Sequence, residues 1–189
     1  GKQTVLSFEP TNLEGIFESI ERIGHFTNVD DISKPLVKDL RSRVSHVAKR
    51  AAVANEKPHV LGLEWLDPPF IGGHWVPEMI GSAGGKDVIG LSEKPSRQIS
   101  WQEASASNPE IVVLMVCGFD LSKTVAEFCS AKIGPFWDNF EGSIFAADGS
   151  SFFSRPGPRI VDGLEILAEI IHPELFPRRH SEDDWVKMT

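Results

Sequence analysis

The stretch Ile111-Val112-Val113-Leu114-Met115-Val116 is apolar without interruption. Successive side chains of a strand point to opposite faces, so a run of this kind is buried on both, as in a parallel sheet covered by helices. Two further runs, His59 to Leu63 and Ser143 to Ala147, read as companion strands, and Asp87 to Leu91 as a shorter one. Helical patterns fall between them. Val76 to Ala83 is a short helix stopped by Gly84-Gly85, and Ser100-Trp101-Gln102-Glu103 is a capping box opening another. Asp120 to Ala131 turns Leu121, Val125 and Phe128 inward, and Pro156-Gly157-Pro158 introduces a last helix running to Ile171. Strands alternating with helices predict an α/β unit on a mainly parallel sheet.

The N-terminal part is organised differently. Thr4 to Phe8 reads as a strand, and Thr11-Asn12-Leu13-Glu14 as a capping box. The helix that follows carries Leu13, Ile16, Phe17, Ile20 and Ile23 on one face and is expected to end at Gly24. A longer helix, Asp31 to Ala54, lines up Ile32, Leu36, Val37, Leu40, Val44, Val47, Ala48 and Ala51. At 1.5 Å per residue it spans about 36 Å, the width of a small domain. Asn55-Glu56-Lys57-Pro58 closes it. The expected division is 1–28, a βα unit; 29–57, the long helix; 58–177, the α/β unit; and 178–189, a polar, loosely held tail.

Charge and composition exclude some roles. A net charge of −8 leaves no basic stripe to displace counterions from phosphates, so no nucleic-acid partner is expected. No stretch approaches 18 apolar residues, so no membrane span is expected. Cys117 and Cys129 fit no CxxC pattern and read as buried thiols packing as small hydrophobes. Gly1-Lys2-Gln3 leads almost directly into the first expected strand, with no signal peptide in it, and the compartment stays open on the residues alone.

The chemistry should sit beyond the carboxyl ends of the strands, where open parallel sheets bind ligands. The second expected strand runs into Glu64-Trp65-Leu66-Asp67-Pro68-Pro69-Phe70, whose prolines forbid both helix and central strand. With Trp75 after it, Phe119 after the next buried strand, and Phe152 and Phe153 after the last, one edge gathers six large rings. Each carries roughly 150–250 Å² that must pack inward or meet a ligand. Trp75 and Phe153 are the rings expected in the core first. Catalytic patterns are weak. His74 and Glu78 stand four apart, but Pro77 lies between them, and a loop histidine beside a surface glutamate is the plainer reading. Ser154 has no GxSxG around it, and there is no GxGxxG or GxxxxGK[ST] loop. Arg159, in a first helical turn where the macrodipole disfavours it, is either held for a partner or paired with Asp148 or Asp162.

Taken together, Glu64 to Phe70, Gly73-His74-Trp75-Val76-Pro77-Glu78, Gly84-Gly85, Cys117-Gly118-Phe119-Asp120 and Phe152 to Arg159 resemble the C-terminal lobe of the cobalamin-type substrate-binding proteins of bacterial ABC importers. The helix Asp31 to Ala54 resembles the rigid connector between that family's two lobes, and Thr4 to Gly24 the last strand and helix of its first lobe, most of which this chain lacks. The resemblance implies a periplasmic-binding-protein-like fold: a three-layer parallel-sheet lobe preceded by a connector helix and a remnant βα unit. It implies a non-enzymatic protein, or lobe of one, binding a corrinoid such as cobalamin or another metal chelate. No catalytic residue, metal ligand or resident cofactor is expected.

Phe70 and Phe152 would stack on a flat ligand, and the candidate binding set is Trp65, Phe70, Trp75, Phe119, Phe152 and Arg155. Glu78 is the candidate contact to an ABC permease, and the location is extracytoplasmic by resemblance. A homodimer or a separate chain would supply the missing lobe. Two alternatives stand beside this: a metal-dependent enzyme or subunit using His74, Glu78, Asp67 or Asp120, and an interaction module that kept the fold without the ligand.

Overall fold

The computed structural model describes residues 4–130 and 134–188. Its centre is a mixed sheet. Strand β1 (His59–Leu66) runs parallel to β3 (Lys86–Asp87) on one side and to β5 (Ile111–Leu114) on the other, and β5 is parallel to β6 (Ser143–Ala147). The flanks are antiparallel. Beyond the turn at Asp67-Pro68, β2 (Pro69–Ile71) folds back on β1 and pairs outward with β4 (Arg97–Gln98); at the opposite edge β7 (Trp185–Lys187) pairs with β6.

Alternation along the strands builds two cores. Val60, Val113, Met115, Phe145 and Ala147 face helices α1 (Leu13–Phe26), α2 (Asp30–Ala51), α3 (Val76–Ser82) and α8 (Ile160–Ile171). Leu61, Leu63, Val112, Leu114 and Ala146 face the other layer, from α4 (Trp101–Ala106), α5 (Leu121–Ser130) and the single turn α6 (Pro135–Asp138). The apolar run that predicted a doubly covered strand is therefore buried on both sides.

Several expectations are corrected. Thr4 to Phe8 is not a strand: it has extended sequence character but no pairing partner among the described residues, and Val5 is 89% exposed. Helix α1 is capped by Asn12, whose side chain accepts from Gly15 N, rather than by Thr11. It runs two residues past Gly24 because that glycine serves close packing: a Cβ there would lie 2.0 Å from Ser33 Oγ at the start of α2. Ile32, expected inward on the long helix, is 63% exposed and Ser33 faces the core instead, while Val37, Leu40 and Val47 are buried as expected.

The strand expected over Asp87 to Leu91 shrinks to β3, since the Asp87 carboxylate turns the chain by accepting from Ile89 N and Gly90 N. Val125 and Phe128 pack on the second core as expected, while the helix end foreseen at Ala131 lies outside the described residues. Both cysteines are exposed rather than buried. The tail is not loose: β7 belongs to the sheet, and its Trp185 is buried and donates to the buried carboxylate of Glu169 on α8 at 3.0 Å.

Charged links fix α1 and α2 to the sheet-covering layer. Arg41 of α2 bridges Glu14 and Glu21 of α1, and Arg43 bridges Asp162 and Glu165 of α8. Among the described residues, no helix is long and apolar enough to cross a membrane.

Candidate functional site

The carboxyl ends of β1 and β5 and the α7 turn (Gly149–Phe152) after β6 open on one edge of the sheet. Strand β1 is irregular there. Its register with β2 shifts between Leu63 and Trp65, a bulge at Glu64, before Trp65 pairs with Phe70 and Leu66 with Pro69. A bulge inserts an extra residue and re-aims its side chain, a device common beside binding sites. The hairpin brings Trp65 and Phe70 together over a recess of about 280 Å³, completed by Glu64, Pro68 and Cys117.

Trp65 is 37% exposed and held by its indole N–H, which donates to Asp67 O at 3.0 Å. Phe119, after β5, meets it edge-on at 5.4 Å between ring centroids. The ammonium of Lys123 lies 3.7 Å above the Phe119 ring centroid. Rings from two strand ends thus form one partly exposed aromatic wall.

A second recess, about 220 Å³, adjoins the first through Glu64 and Cys117 and is lined further by Gly73, His74, Trp75, Ser96 and Ser154. Trp75 is buried, and its indole N–H donates to Phe153 O at 2.9 Å, tying the start of α3 to α7. Ser154 is structural: its hydroxyl donates to Gly149 O at 2.8 Å and accepts from Gly118 N at 3.3 Å. His74 holds a left-handed backbone, φ 53°, clamped by His74 N donating to Lys94 O at 2.6 Å and Glu93 N donating to His74 O at 3.0 Å. A third recess joins through His74 and Trp75 and reaches Glu9, Pro10 and Thr11. Burial pushes the Glu64 carboxyl above its usual range, against the pull of the Ser96 hydroxyl and the His74 ring.

The expected residues do not all meet. Phe152 does not share the wall with Phe70: it packs on the α8-side core and lies edge-on to His180 at 6.4 Å. Adjacent residues on a helical turn point about 100° apart, and here Phe153 enters the core while Phe152 goes to the side. Arg155 is exposed at the rim, next to Ser154. Among the described residues neither Arg155 nor Arg159 forms an ion pair: Asp162 is taken by Arg43, and Asp148 caps α7 by accepting from Ser151 N.

Glu78 faces neither solvent alone nor the recess; its carboxylate accepts from Leu13 N at 2.9 Å, at the start of α1. Asp120 caps α5 by accepting from Lys123 N. The one cluster of three side chains close enough to share a cation, among the described residues, is Asp162, Glu165 and His180, and it excludes His74 and Glu78. Its two carboxylates already hold the Arg43 guanidinium. Sequence reasoning missed Glu64 and Ser96. The available signal for Glu64 was a carboxylate closing an apolar strand just before the proline loop.

Comparison with known proteins agrees on the fold. The model for a family described as periplasmic binding protein matches residues 2–133. The vitamin B12-binding protein of Vibrio cholerae serotype O1 is 22% identical over 172 residues, covering 86% of this chain and 57% of the relative. That of Photorhabdus laumondii is 24% identical over 162 residues, covering 85% and 56%. Among solved structures, a periplasmic heme binding protein from Pseudomonas aeruginosa aligns with a TM-score of 0.75 at 18% identity, over 95% of this chain and 66% of that one. The periplasmic vitamin B12 binding protein of Vibrio cholerae gives 0.66 at 18%, over 93% and 67%. The chain spans a little over half the length of the curated relatives it matches.

Proposed function

The chain belongs to the periplasmic binding protein family, and from that premise we propose that it is the ligand-bearing part of a substrate-binding protein for a corrinoid or another flat metal chelate. The observation that carries this is the half-open aromatic wall of Trp65, Phe70 and Phe119 at the carboxyl edge of the parallel strands. Planar rings offer a flat chelate dispersion contact over a wide face without demanding directional bonds. The relatives named for vitamin B12 and for heme support the same ligand class. Binding without covalent chemistry fits a site whose Ser154 is locked in structural bonds and whose neighbouring Asp120 caps α5.

In this reading residues 58–177 carry the ligand, and a second wall comes from a further α/β unit or another chain. Exposed Val5, Ile23, Phe26 and Ile32 supply apolar surface for it. Delivery is to an ABC permease outside the cytoplasm. Glu78, the candidate contact to that permease, also holds the start of α1 through Leu13 N. The test is an absorbance and tryptophan-fluorescence titration with cyanocobalamin and with hemin, on the wild type and on Trp65→Ala. Quenching by either ligand that weakens in Trp65→Ala supports the reading; no spectral response to either ligand ends it.

A further inference from the structure

We propose that Glu64 sets the charge preference of the recess: it accepts hydrogen bonds from donors on the ligand's periphery, so the site takes an amide-bearing chelate and turns away one whose periphery carries carboxylates. The inference rests on the chelate-binding reading and adds a residue and a selectivity to it. Its geometric basis is position. Glu64 is the bulged residue of β1, and it lines both the aromatic recess and the adjoining one, so a ligand seated against Trp65 and Phe70 lies against its carboxylate.

The surroundings leave that carboxylate in need of donors. The groups facing it are the His74 ring from the turn after β2, the Ser96 hydroxyl from the segment before β4, Cys117 from the end of β5 and Ser154 after α7. Ser96 Oγ accepts from Gly73 N at 3.1 Å, and its hydroxyl is a protein donor to the carboxylate, which leaves acceptor positions open toward the recess. Among the described residues no lysine or arginine lines any of the three joined recesses, and the second acid there is Glu9. The nearby cations are used or turned outward: Lys123 sits on the Phe119 ring and Arg155 is exposed.

A half-buried carboxylate without a cation is costly until something donates to it. An amide N–H on the ligand does so. A ligand carboxylate brings a second negative charge into a space with reduced screening, with no lysine or arginine lining the recess to offset it. Burial raises the proton affinity of Glu64 against the opposing pull of the Ser96 hydroxyl and the His74 ring.

The experiment compares ligands that share ring and metal and differ at the periphery: dicyanocobinamide with its side-chain amides against dicyanocobyrinic acid with carboxylates, and the bis-amide of hemin against hemin. Wild type, Glu64→Gln and Glu64→Asp are titrated by absorbance at neutral pH, with circular dichroism confirming the fold of each; Glu64→Ala replaces E64Q should that variant not fold. The wild type is expected to prefer the amide form of a pair by about tenfold, Glu64→Asp to keep the preference, and E64Q to bring the two forms to near parity. Equal wild-type affinity for both forms, or an undiminished preference in E64Q, overturns the proposal. Should only the porphyrins bind, the corrinoid reading fails while the hemin pair decides Glu64 by the same ratio. Should none of the four bind the wild type, both readings fall.

Discussion

Gly73 is the point at which the site is most sensitive to a single methyl group. A Cβ built there lies 2.3 Å from Ser96 N, 2.5 Å from Pro95 C and 2.6 Å from Lys94 O. All three are main-chain atoms of one segment, so no rotamer change relieves the overlap. To reach ordinary contact in Gly73→Ala, residues 94–96 must retreat by about 1 Å. That retreat stretches Gly73 N to Ser96 Oγ (3.1 Å) beyond bonding range and lengthens His74 N to Lys94 O (2.6 Å).

Each such bond contributes a net ~0.5–1.5 kcal/mol, and water replaces part of it on an exposed loop, so a loss of roughly 1–3 kcal/mol follows. The control is Gly81→Ala on α3, where a Cβ meets nothing within 4 Å. Removing a helix-interior glycine there gains roughly 0.5–1 kcal/mol. Urea unfolding of both variants gives the comparison, and a cyanocobalamin titration reads the effect on the recess that Gly73 and Ser96 line. Gly73→Ala as stable as Gly81→Ala, with unchanged binding, refutes the reasoning.

Three further outcomes are expected. Glu169→Ala removes an acceptor that Arg179 N (3.0 Å) and Trp185 Nε1 (3.0 Å) donate to and that His180 Nδ1 meets at 2.8 Å. It should cost roughly 2–4 kcal/mol, with early loss of hydrogen-exchange protection in residues 185–187; protection equal to wild type would contradict the anchoring role. The Glu64 carboxyl titrates above its usual range when folded, so the native state binds its proton more tightly than the unfolded chain. E64Q should therefore melt higher than wild type at pH well above that titration, and the gap should close as pH falls through it; a gap that widens on acidification reverses the sign and rejects the burial argument. Both cysteines should react with a thiol reagent, and bound cyanocobalamin should slow Cys117 but not Cys129; equal protection of both would place the ligand elsewhere.

What the sequence made legible follows from how local the deciding physics is. Strands β1, β5 and β6 were readable because burial on both faces writes itself as an uninterrupted apolar run. Strand β7 was not: Trp185-Val186-Lys187 follows an acidic, polar stretch, and it joins the sheet through a ladder to β6 and a buried acceptor sixteen positions away on α8. Thr4 to Phe8 shows the converse, a strand-like pattern without a partner to pair with. In the candidate site, the convergence of Trp65, Phe70 and Phe119 on one edge was legible from the strand ends that deliver them. Phe152 was not, because choosing between it and Phe153 depends on the phase of one helical turn. For Glu64 the sequence shows a carboxylate at the end of an apolar run, but its aim into the recess depends on the bulge, which only the pairing with β2 reveals.

The half-open shape of the site then has a mechanical consequence. Binding clefts bury 70–90% of a ligand, and one wall covers about half of a flat one, so the proposed reading needs an opposing surface. The segment leading into α1 already forms the rim on that side: Glu9, Pro10 and Thr11 line the recess that His74 and Trp75 share. It is pinned there by Asn12 Nδ2 donating to Glu93 Oε1 at 2.7 Å and Leu13 N donating to Glu78 Oε2 at 2.9 Å. Behind it, the bridges of Arg41 to α1 and Arg43 to α8 hold the helix pair against the sheet layer. A unit carried on α1 is thereby held in fixed relation to the aromatic wall. On the proposed reading, closure over a ligand is expected to proceed by small bending of this braced frame rather than by free hinging of a linker.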